Sequence, residues 1–146
     1  PKLIEEALQG HPAIGMVAAV GCPDAYAGEV PVAYVQLRPG AFVTTEELLE
    51  FATQHISERA AIPKRIEILQ QLPVTAVGKI FKPSLQRMEI KQVILKEAAQ
   101  LGIEEIEVDV VQDSRRGMLA RITTNANYES LATVLGHYSF QLDWHT

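Results

Sequence analysis

The chain contains the stretch Leu72-Pro73-Val74-Thr75-Ala76-Val77-Gly78-Lys79-Ile80, which follows a predicted strand and precedes a predicted helix. Gly78 can adopt a positive φ at little steric cost, so the backbone can turn sharply there and direct Lys79 outward. Pro73 restricts the entry to the loop, and Thr75 can hydrogen-bond to the backbone within the turn. The stretch therefore predicts a loop whose tip carries a point charge on a flexible side chain.

The residues of this loop allow two simpler interpretations to be compared with the sequence. A phosphate-binding loop has the pattern G-x-x-x-x-G-K-[ST], in which the last residue binds Mg²⁺. Counting back from Gly78, the first glycine of that pattern falls at Pro73, and Ile80 stands where Ser or Thr is required. Both requirements fail. A solvent-exposed turn lysine is the alternative that the loop by itself leaves open.

The first part of the chain predicts a helix followed by two strands. The helix ends at His11-Pro12, where its hydrophobic spacing stops. Residues 16–20 and 30–37 are continuous apolar runs of strand length. The loop between these strands is expected to contain Pro23, Asp24 and Gly28.

Further elements are predicted on both sides of the lysine loop. Thr44 and Glu47 have the spacing of the N-cap and N3 residues of a capping box, which predicts a helix after Thr44. Residues 65–69 predict a third strand that leads into the loop. Pro83 suits the first turn of the next helix, whose apolar face includes either Met88 or Ile90.

Residues 103–146 show alternating and helical patterns in the order β-β-α-β. The predicted elements are strands at 106–110, 120–123 and 140–144, a hairpin turn at 113–117, and a helical face at 128–138. A preceding helix at 84–101 could cover one face of such a small sheet, which needs that cover to be stable. We therefore expect an antiparallel sheet backed by two helices, close to a ferredoxin-like arrangement. The whole chain is predicted to be α+β, with small mixed or antiparallel sheets.

Composition excludes several classes of function. The 146 residues carry a net charge of −5 and no basic block, which argues against a nucleic-acid or membrane surface. No apolar run approaches the roughly 18 residues of a membrane span, and no signal-peptide pattern is present. These features predict a cytoplasmic globular protein.

Cysteine and histidine usage predicts neither a disulfide nor a metal site. Cys22 is the single cysteine, so an intrachain disulfide is ruled out, and a small buried hydrophobe is its expected role. The four histidines lack the spacing of metal ligands. The Arg115-Arg116 pair could bind an anion such as a phosphate of coenzyme A, or form a solvated turn.

The lysine stretch resembles the C-terminal lysine motif of the adenylate-forming superfamily, which includes acyl-CoA synthetases, luciferases and peptide-synthetase adenylation domains. Other pieces of residues 3–88 resemble the same family and occur in its order. They are Glu5-Glu6-Ala7-Leu8 with His11-Pro12-Ala13-Ile14, Val20-Gly21-Cys22-Pro23-Asp24 with Gly28-Glu29-Val30-Pro31-Val32-Ala33-Tyr34-Val35, Leu37-Arg38-Pro39-Gly40, residues 44–56, Ile62-Pro63-Lys64 and Ile66-Glu67.

This resemblance implies roles for individual residues. Lys79 matches the family's adenylation lysine, and Thr75 and Gly78 are expected to shape its loop. Gly28 and Glu29 match the face that approaches the thioester-forming site, although a strand-entry glycine beside an exposed glutamate is an equally good interpretation. ATP and coenzyme A are the implied substrates together with a carboxylic acid, fatty acids included, and Mg²⁺ is expected in the N-terminal adenylating domain.

The resemblance also implies a domain organisation. Residues 1–88 are expected to be the C-terminal lid domain of an AMP-forming synthetase, and residues 89–146 a helix plus ββαβ extension. In the family the lid follows a large adenylating domain and a hinge, which this chain does not contain. We therefore expect the isolated chain to be inactive without that partner domain.

Two departures and one alternative qualify these expectations. Ala60-Ala61 stands where many relatives have an aromatic-Lys pair, so a coenzyme A or interface contact of that lysine is not carried over. Lys64 or Arg65 could substitute for it, or they could form a solvated strand start. Phe81-Lys82 replaces the Asp-Arg pair usual in peptide-synthetase domains, which favours the acyl-CoA synthetase branch.

The alternative function is a regulatory or partner-binding module that retains a lid-like fold, with a homo-oligomer formed through the extension.

Overall fold

Two small three-stranded sheets, each packed against helices, form the computed structural model, which describes residues 2–124 and 128–145. The elements are α1 (Lys2–Gln9), β1 (Ile14–Asp24), β2 (Gly28–Leu37), α2 (Thr45–His55), a 3-10 turn (Arg59–Ala61), β3 (Ile66–Ile68), α3 (Lys82–Gln100), β4 (Ile106–Asp113), β5 (Gly117–Thr124), α4 (Tyr128–Leu135) and β6 (Gln141–His145). The predicted α+β class is confirmed. No helix in the described residues is long and apolar enough to span a membrane.

The chain divides into two compact units. The first contains Pro1–Gly21 and Val30–Leu85, and the second contains Cys22–Glu29 and Gln86–Thr146. The tip of the β1–β2 hairpin and most of α3 therefore belong to the second unit, while the lysine loop belongs to the first.

The sheet of the first unit has the order β1-β2-β3. β2 and β3 are parallel, with Ala33 opposite Ile66 and Val35 opposite Ile68. A parallel pair requires a crossover, and α2 supplies it. Apolar side chains from α1, β1, β2, α2 and β3 form one core, which contains Ile4, Leu8, Ile14, Val17, Ala19, Ala33, Val35, Val43, Leu48, Ala52, Ile56 and Ile66.

The sheet of the second unit has the order β4-β5-β6 and is mixed. β4 and β5 form an antiparallel hairpin, but β5 and β6 are parallel, with Ile122 opposite Trp144. The expectation of a purely antiparallel tail sheet is therefore wrong at this pairing, because the crossover through α4 returns the chain to run alongside β5. Both predicted helices do pack on this sheet, since Ile94 of α3 and Leu131 of α4 share its core.

A partly buried hydrogen bond joins the end of this crossover to α3. The Tyr138 hydroxyl donates to Glu97 Oε2 at 2.9 Å. Desolvation by burial raises the pKa of Tyr138 to about 12, and the hydrogen bond to Glu97 adds to the rise because both favour the neutral phenol.

The β1–β2 loop is shorter than predicted. Pro23, Asp24 and Gly28 all lie within strands, and the connection contains only residues 25–27. Asp24 Oδ1 accepts the N–H of Tyr26 at 3.0 Å, so a side chain closes the turn directly after β1. β1 is an edge strand, which is where a proline such as Pro23 can lie without removing a ladder hydrogen bond.

Several helix boundaries follow the predicted capping chemistry. Thr44 is the N-cap of α2, and its Oγ1 accepts the N–H of Glu47 at 3.1 Å. Pro83 lies in the first turn of α3, as expected. Of the two candidates for the apolar face of α3, Ile90 is buried and Met88 is exposed.

Candidate lysine-loop site

The lysine loop is a narrow hairpin rather than an irregular excursion. Val74 and Ile80 form an antiparallel bridge across its base. Outside that bridge, the Phe81 N–H donates to the Pro73 carbonyl at 2.8 Å. These backbone contacts bring the two ends of the loop together, so residues 75–79 project from a closed base.

Three hydrogen bonds organise the tip of the loop. The Thr75 N–H donates to the Lys79 carbonyl at 2.7 Å, and the Gly78 N–H donates to the Thr75 carbonyl at 2.9 Å. The Lys79 N–H donates to Thr75 Oγ1 at 3.2 Å. Gly78 has φ of +82°, and no atom lies within 4 Å of the position that a Cβ would take. The left-handed residue is therefore needed for the turn itself and not for close packing.

The side chain at this tip is exposed and carries an unpaired charge. Lys79 is exposed, and within residues 2–124 and 128–145 its ammonium group has neither an ion pair nor a hydrogen-bond acceptor. The neighbouring Val77 side chain is 90% exposed. A free ammonium group on a hydrogen-bonded hairpin is suited to meet anionic groups brought from outside this chain.

A groove of about 710 Å³ lies beside the loop within the first unit. It is lined by Lys2, Glu5, Glu6, Val17, Lys79 and Lys82 among others. Lys82 Nζ donates to Glu5 Oε2 at 2.8 Å, so one of the three lysines is already neutralised by a fixed carboxylate. Lys79 is not part of this pair.

The entry to the loop is also attached to the sheet. Gln36 of β2 accepts the Leu72 N–H through its Oε1 at 2.8 Å. Leu72 is almost fully buried, and the Leu69 N–H donates to the Val35 carbonyl at 2.9 Å. The chain therefore leaves the sheet through fixed contacts before it reaches the bridge at the base of the loop.

Gly28 and Glu29 lie at the tip of the β1–β2 hairpin, where β2 begins. Both are exposed, and Gly28 has φ of +82°. They belong to the second unit, whereas Lys79 belongs to the first. Thr75, Gly78 and Lys79 are thus brought together in one loop, and Gly28 and Glu29 form a separate exposed point on the chain.

The other positively charged candidates differ in their contacts. Arg65, just before β3, pairs through Nη1 with Glu67 Oε1 of β3 at 2.8 Å. The Lys64 side chain is exposed, and its backbone N–H donates to the Pro31 carbonyl at 2.8 Å. In the β4–β5 turn, Arg116 lies 3.6 Å from Asp113.

Asp113 also accepts backbone bonds from Arg115 at 2.8 Å and Arg116 at 2.9 Å. These two N–H donors hold the pKa of Asp113 below its usual value, with a smaller contribution from the Arg116 charge. The geometry is that of a closed polar turn.

The described histidines and acids form no group of three that could hold a metal ion. His11 has a structural contact instead, since its Nδ1 accepts the Ala13 N–H at 3.1 Å after α1.

Sequence reasoning missed the residues that attach the loop to the domain. Gln36 carried a signal, because it is a polar residue within the apolar run of β2. The pair of Glu5 and Lys82 was not predictable, because 77 positions separate the two residues and neither local sequence pattern indicates the other.

Residues 3–79, which include the whole lysine loop up to Lys79, match the family described as AMP-binding enzyme C-terminal domain. The marinolic acid–CoA ligase of Pseudoalteromonas sp. (strain SANK 73390) is 39% identical over 145 residues, which are 98% of this chain and 22% of that protein. The long-chain-fatty-acid–CoA ligase of Bacillus subtilis (strain 168) is 43% identical over 89 residues, 61% of this chain and 16% of that protein.

A solved structure of an acyl-CoA synthetase is also similar to this chain. The crystal structure of Brucella canis acyl-CoA synthetase superposes with a TM-score of 0.58 at 35% sequence identity, covering 64% of this chain and 18% of that one. The chain thus spans less than a quarter of the length of each of these relatives.

Proposed function

This chain belongs to the family of AMP-binding enzyme C-terminal domains, and we propose that it is the mobile C-terminal domain of an AMP-forming acyl-CoA synthetase. The full enzyme would join a carboxylate to ATP, releasing pyrophosphate and forming acyl-AMP. It would then transfer the acyl group to the thiol of coenzyme A, releasing AMP. The observation that carries this proposal is the ammonium group of Lys79, which has no ion-pair partner among residues 2–124 and 128–145 and lies at the tip of a hydrogen-bonded hairpin.

Lys79 fits the needs of the first half-reaction. The carboxylate oxygen attacks the α-phosphorus, and the bond from that phosphorus to the pyrophosphate oxygen breaks. Negative charge therefore accumulates on three groups at once, and a cation between them lowers their repulsion in the transition state. A slender ammonium group on an exposed hairpin can enter a crowded site from a separate domain. In the part of the chain that the structure describes, no carboxylate neutralises this charge.

The second half-reaction needs the lysine to leave and the thiol to enter. We propose that the domain rotates about its hinge between the two steps, a movement of the kind that takes microseconds to milliseconds in other enzymes. Gly28 and Glu29 would then face the thioester-forming site. Their exposure at a hairpin tip, away from the lysine loop in the chain, is compatible with that role.

The domain boundaries and partners are part of the same proposal. Residues 1–88 would form the lid and residues 89–146 its extension, with the N-terminal adenylating domain of the same polypeptide as the obligatory partner. ATP, coenzyme A and a carboxylic acid would be the substrates, with fatty acids the first class to test, and Mg²⁺ would be held by the N-terminal domain. A cytoplasmic location and self-association through the extension stay predictions from the sequence.

The experiment compares both half-reactions in the full-length enzyme that contains this chain, with and without Lys79→Ala. Acid-dependent ATP–pyrophosphate exchange should fall by roughly 10²–10³, the scale for removing one preorganised charge stabiliser. Thioester formation from supplied acyl-AMP should fall by less than about threefold, because Lys79 has no role in that step. Lys96→Ala removes an exposed lysine of α3 and serves as the matched control.

Equal loss in both half-reactions would contradict the role assigned to Lys79. Unchanged exchange in Lys79→Ala would contradict the proposed function itself, and the regulatory or partner-binding module would then be the better account.

A further inference from the structure

One carboxylate oxygen joins three elements around the lysine loop. Glu5 Oε2 accepts the Ala19 N–H at 2.9 Å and also binds Lys82 Nζ at 2.8 Å. Glu5 lies on α1, Ala19 on β1, and Lys82 is the first residue of α3. The side chain of Glu5 is 28% exposed and that of Lys82 38% exposed, so the pair is partly shielded from water.

The position of Lys82 in the chain gives this pair its significance. Lys82 follows Lys79 by three residues and comes directly after Phe81, whose N–H closes the base of the loop. A contact that fixes Lys82 therefore fixes the point at which the loop ends. At the other end, the bond from Leu72 to Gln36 fixes the point at which the loop begins.

A loop held at both ends behaves as an extension of the domain rather than as a separate flexible arm. The hydrogen bonds within residues 73–81 keep its internal shape, but they cannot fix its direction relative to α1 and β1. Only contacts from the loop ends to the rest of the unit can do that. Direction matters because a displacement of about 1 Å can reduce a reaction rate by about 100-fold.

We propose that Glu5 is a positioning residue for Lys79, acting through its pair with Lys82 to aim the lysine loop. The inference rests on the proposed function, since it assumes that Lys79 acts in adenylation. Glu5 itself does not touch the reacting groups. Its carboxylate is oriented by the Ala19 N–H, which leaves the same oxygen aligned with Lys82.

The test measures pyrophosphate exchange and thioester formation in the full-length enzyme for matched variants. Lys82→Met removes the charge and should lower kcat for exchange by about tenfold, with KM for ATP changed by less than about twofold. Lys82→Arg keeps a cation that can reach the carboxylate and should restore exchange to within about threefold of the parent.

Glu5→Gln should reproduce the loss seen in Lys82→Met, because it removes the opposite charge while keeping an oxygen for Ala19. The control is Glu6→Gln, since Glu6 lies on the same helix and lines the same groove but has no ion pair in the described part of the chain. The double variant Glu5→Gln/Lys82→Met should lose no more than either single variant, because both remove one interaction.

Thioester formation from supplied acyl-AMP separates positioning from simple damage to the domain. It should stay within about twofold of the parent in every variant. A matching loss in both half-reactions would overturn the inference, as would full exchange activity in Glu5→Gln and Lys82→Met. If Lys79→Ala also retains exchange, the proposed function fails; if only Lys79→Ala loses it, the function stands and the role of Glu5 is wrong.

Discussion

The lysine loop of the first unit and the β4–β5 turn of the second are built alike but treat their cations differently. Each has a glycine at positive φ, Gly78 at +82° and Gly117 at +73°, and each is closed by a short polar side chain that accepts backbone N–H groups. In the β4–β5 turn that acceptor is Asp113, which also pairs with Arg116, one of the two arginines of the turn. In the lysine loop it is Thr75, which is neutral.

The difference shows how a turn can be rigid and still leave a charge available. A carboxylate cap stabilises the turn and attracts any nearby ammonium or guanidinium group, as Asp113 does for Arg116 at 3.6 Å. A hydroxyl cap accepts the same kind of backbone bond without adding charge. The lysine loop therefore combines a defined backbone with an ammonium group that has no ion pair within the described residues, which is the combination that the proposed adenylation role requires.

Among changes to the caps and glycines of the two turns, replacing the neutral cap Thr75 by a charged residue should produce the largest effect. Thr75→Asp would place a carboxylate next to the Lys79 backbone, where it would attract the ammonium and repel incoming anions. Two unit charges about 4 Å apart near a protein surface interact by more than about 1 kcal/mol. The rate of pyrophosphate exchange should therefore fall by roughly tenfold or more. Thr75→Ser retains the hydroxyl and should stay near the parent in the same assay. Full exchange activity in Thr75→Asp would show that the neutral cap is irrelevant.

The two glycines offer a matched pair of intermediate effect. A Cβ added at either glycine would meet no atom within 4 Å apart from its chain neighbours. Gly78→Ala and Gly117→Ala should therefore each lower the free energy of unfolding by about 1–2 kcal/mol through backbone strain alone. Urea unfolding measures that cost. Pyrophosphate exchange should fall only in Gly78→Ala, because its turn carries Lys79, and an equal fall in Gly117→Ala would remove the functional distinction between the turns.

The smallest expected effect concerns acid stability. Because the folded pKa of Asp113 is below its usual value of 3.8, folding favours the charged form of this carboxyl. Its contribution is fully present above about pH 3.8 and is lost as the pH falls through the lower folded pKa. Asp113→Asn should therefore reduce the difference between the free energies of unfolding at pH 5 and pH 2.5. The reduction should be small, since the side chain is only partly shielded from water. An unchanged difference would mean that the turn bonds do not favour the carboxylate.

Local chemistry made much of the first unit predictable. Thr44 and Pro83 predicted helix starts, and the apolar run at 30–37 predicted β2, because capping, ring geometry and burial act over a few residues. The loop that carries Lys79 was recognisable for the same reason. The prediction that Pro23 and Asp24 lie in a loop is wrong. Both lie in β1, an edge strand, and edge strands tolerate residues that usually mark turns.

The local sequence pattern did not predict which distant strands pair with each other. Alternation at residues 140–144 predicted a strand but not its parallel alignment with β5, which depends on how the crossover through α4 returns the chain. Helical spacing allowed either Met88 or Ile90 to face the core, and packing selected Ile90. In both cases the local pattern predicts the type of element. The strand or core that the element packs against comes from a distant part of the chain.

The amino-acid order alone thus determined the α+β class, the family resemblance and the identity of Lys79 as the candidate catalytic group, because motifs, caps and periodicity are properties of adjacent residues. Tertiary folding decided how that group is held. The contact of Glu5 with Ala19 and Lys82, and that of Gln36 with Leu72, join residues separated by 14, 77 and 36 positions. Such contacts arise only when packed elements bring distant side chains within hydrogen-bonding distance, and they leave almost no trace in the local sequence.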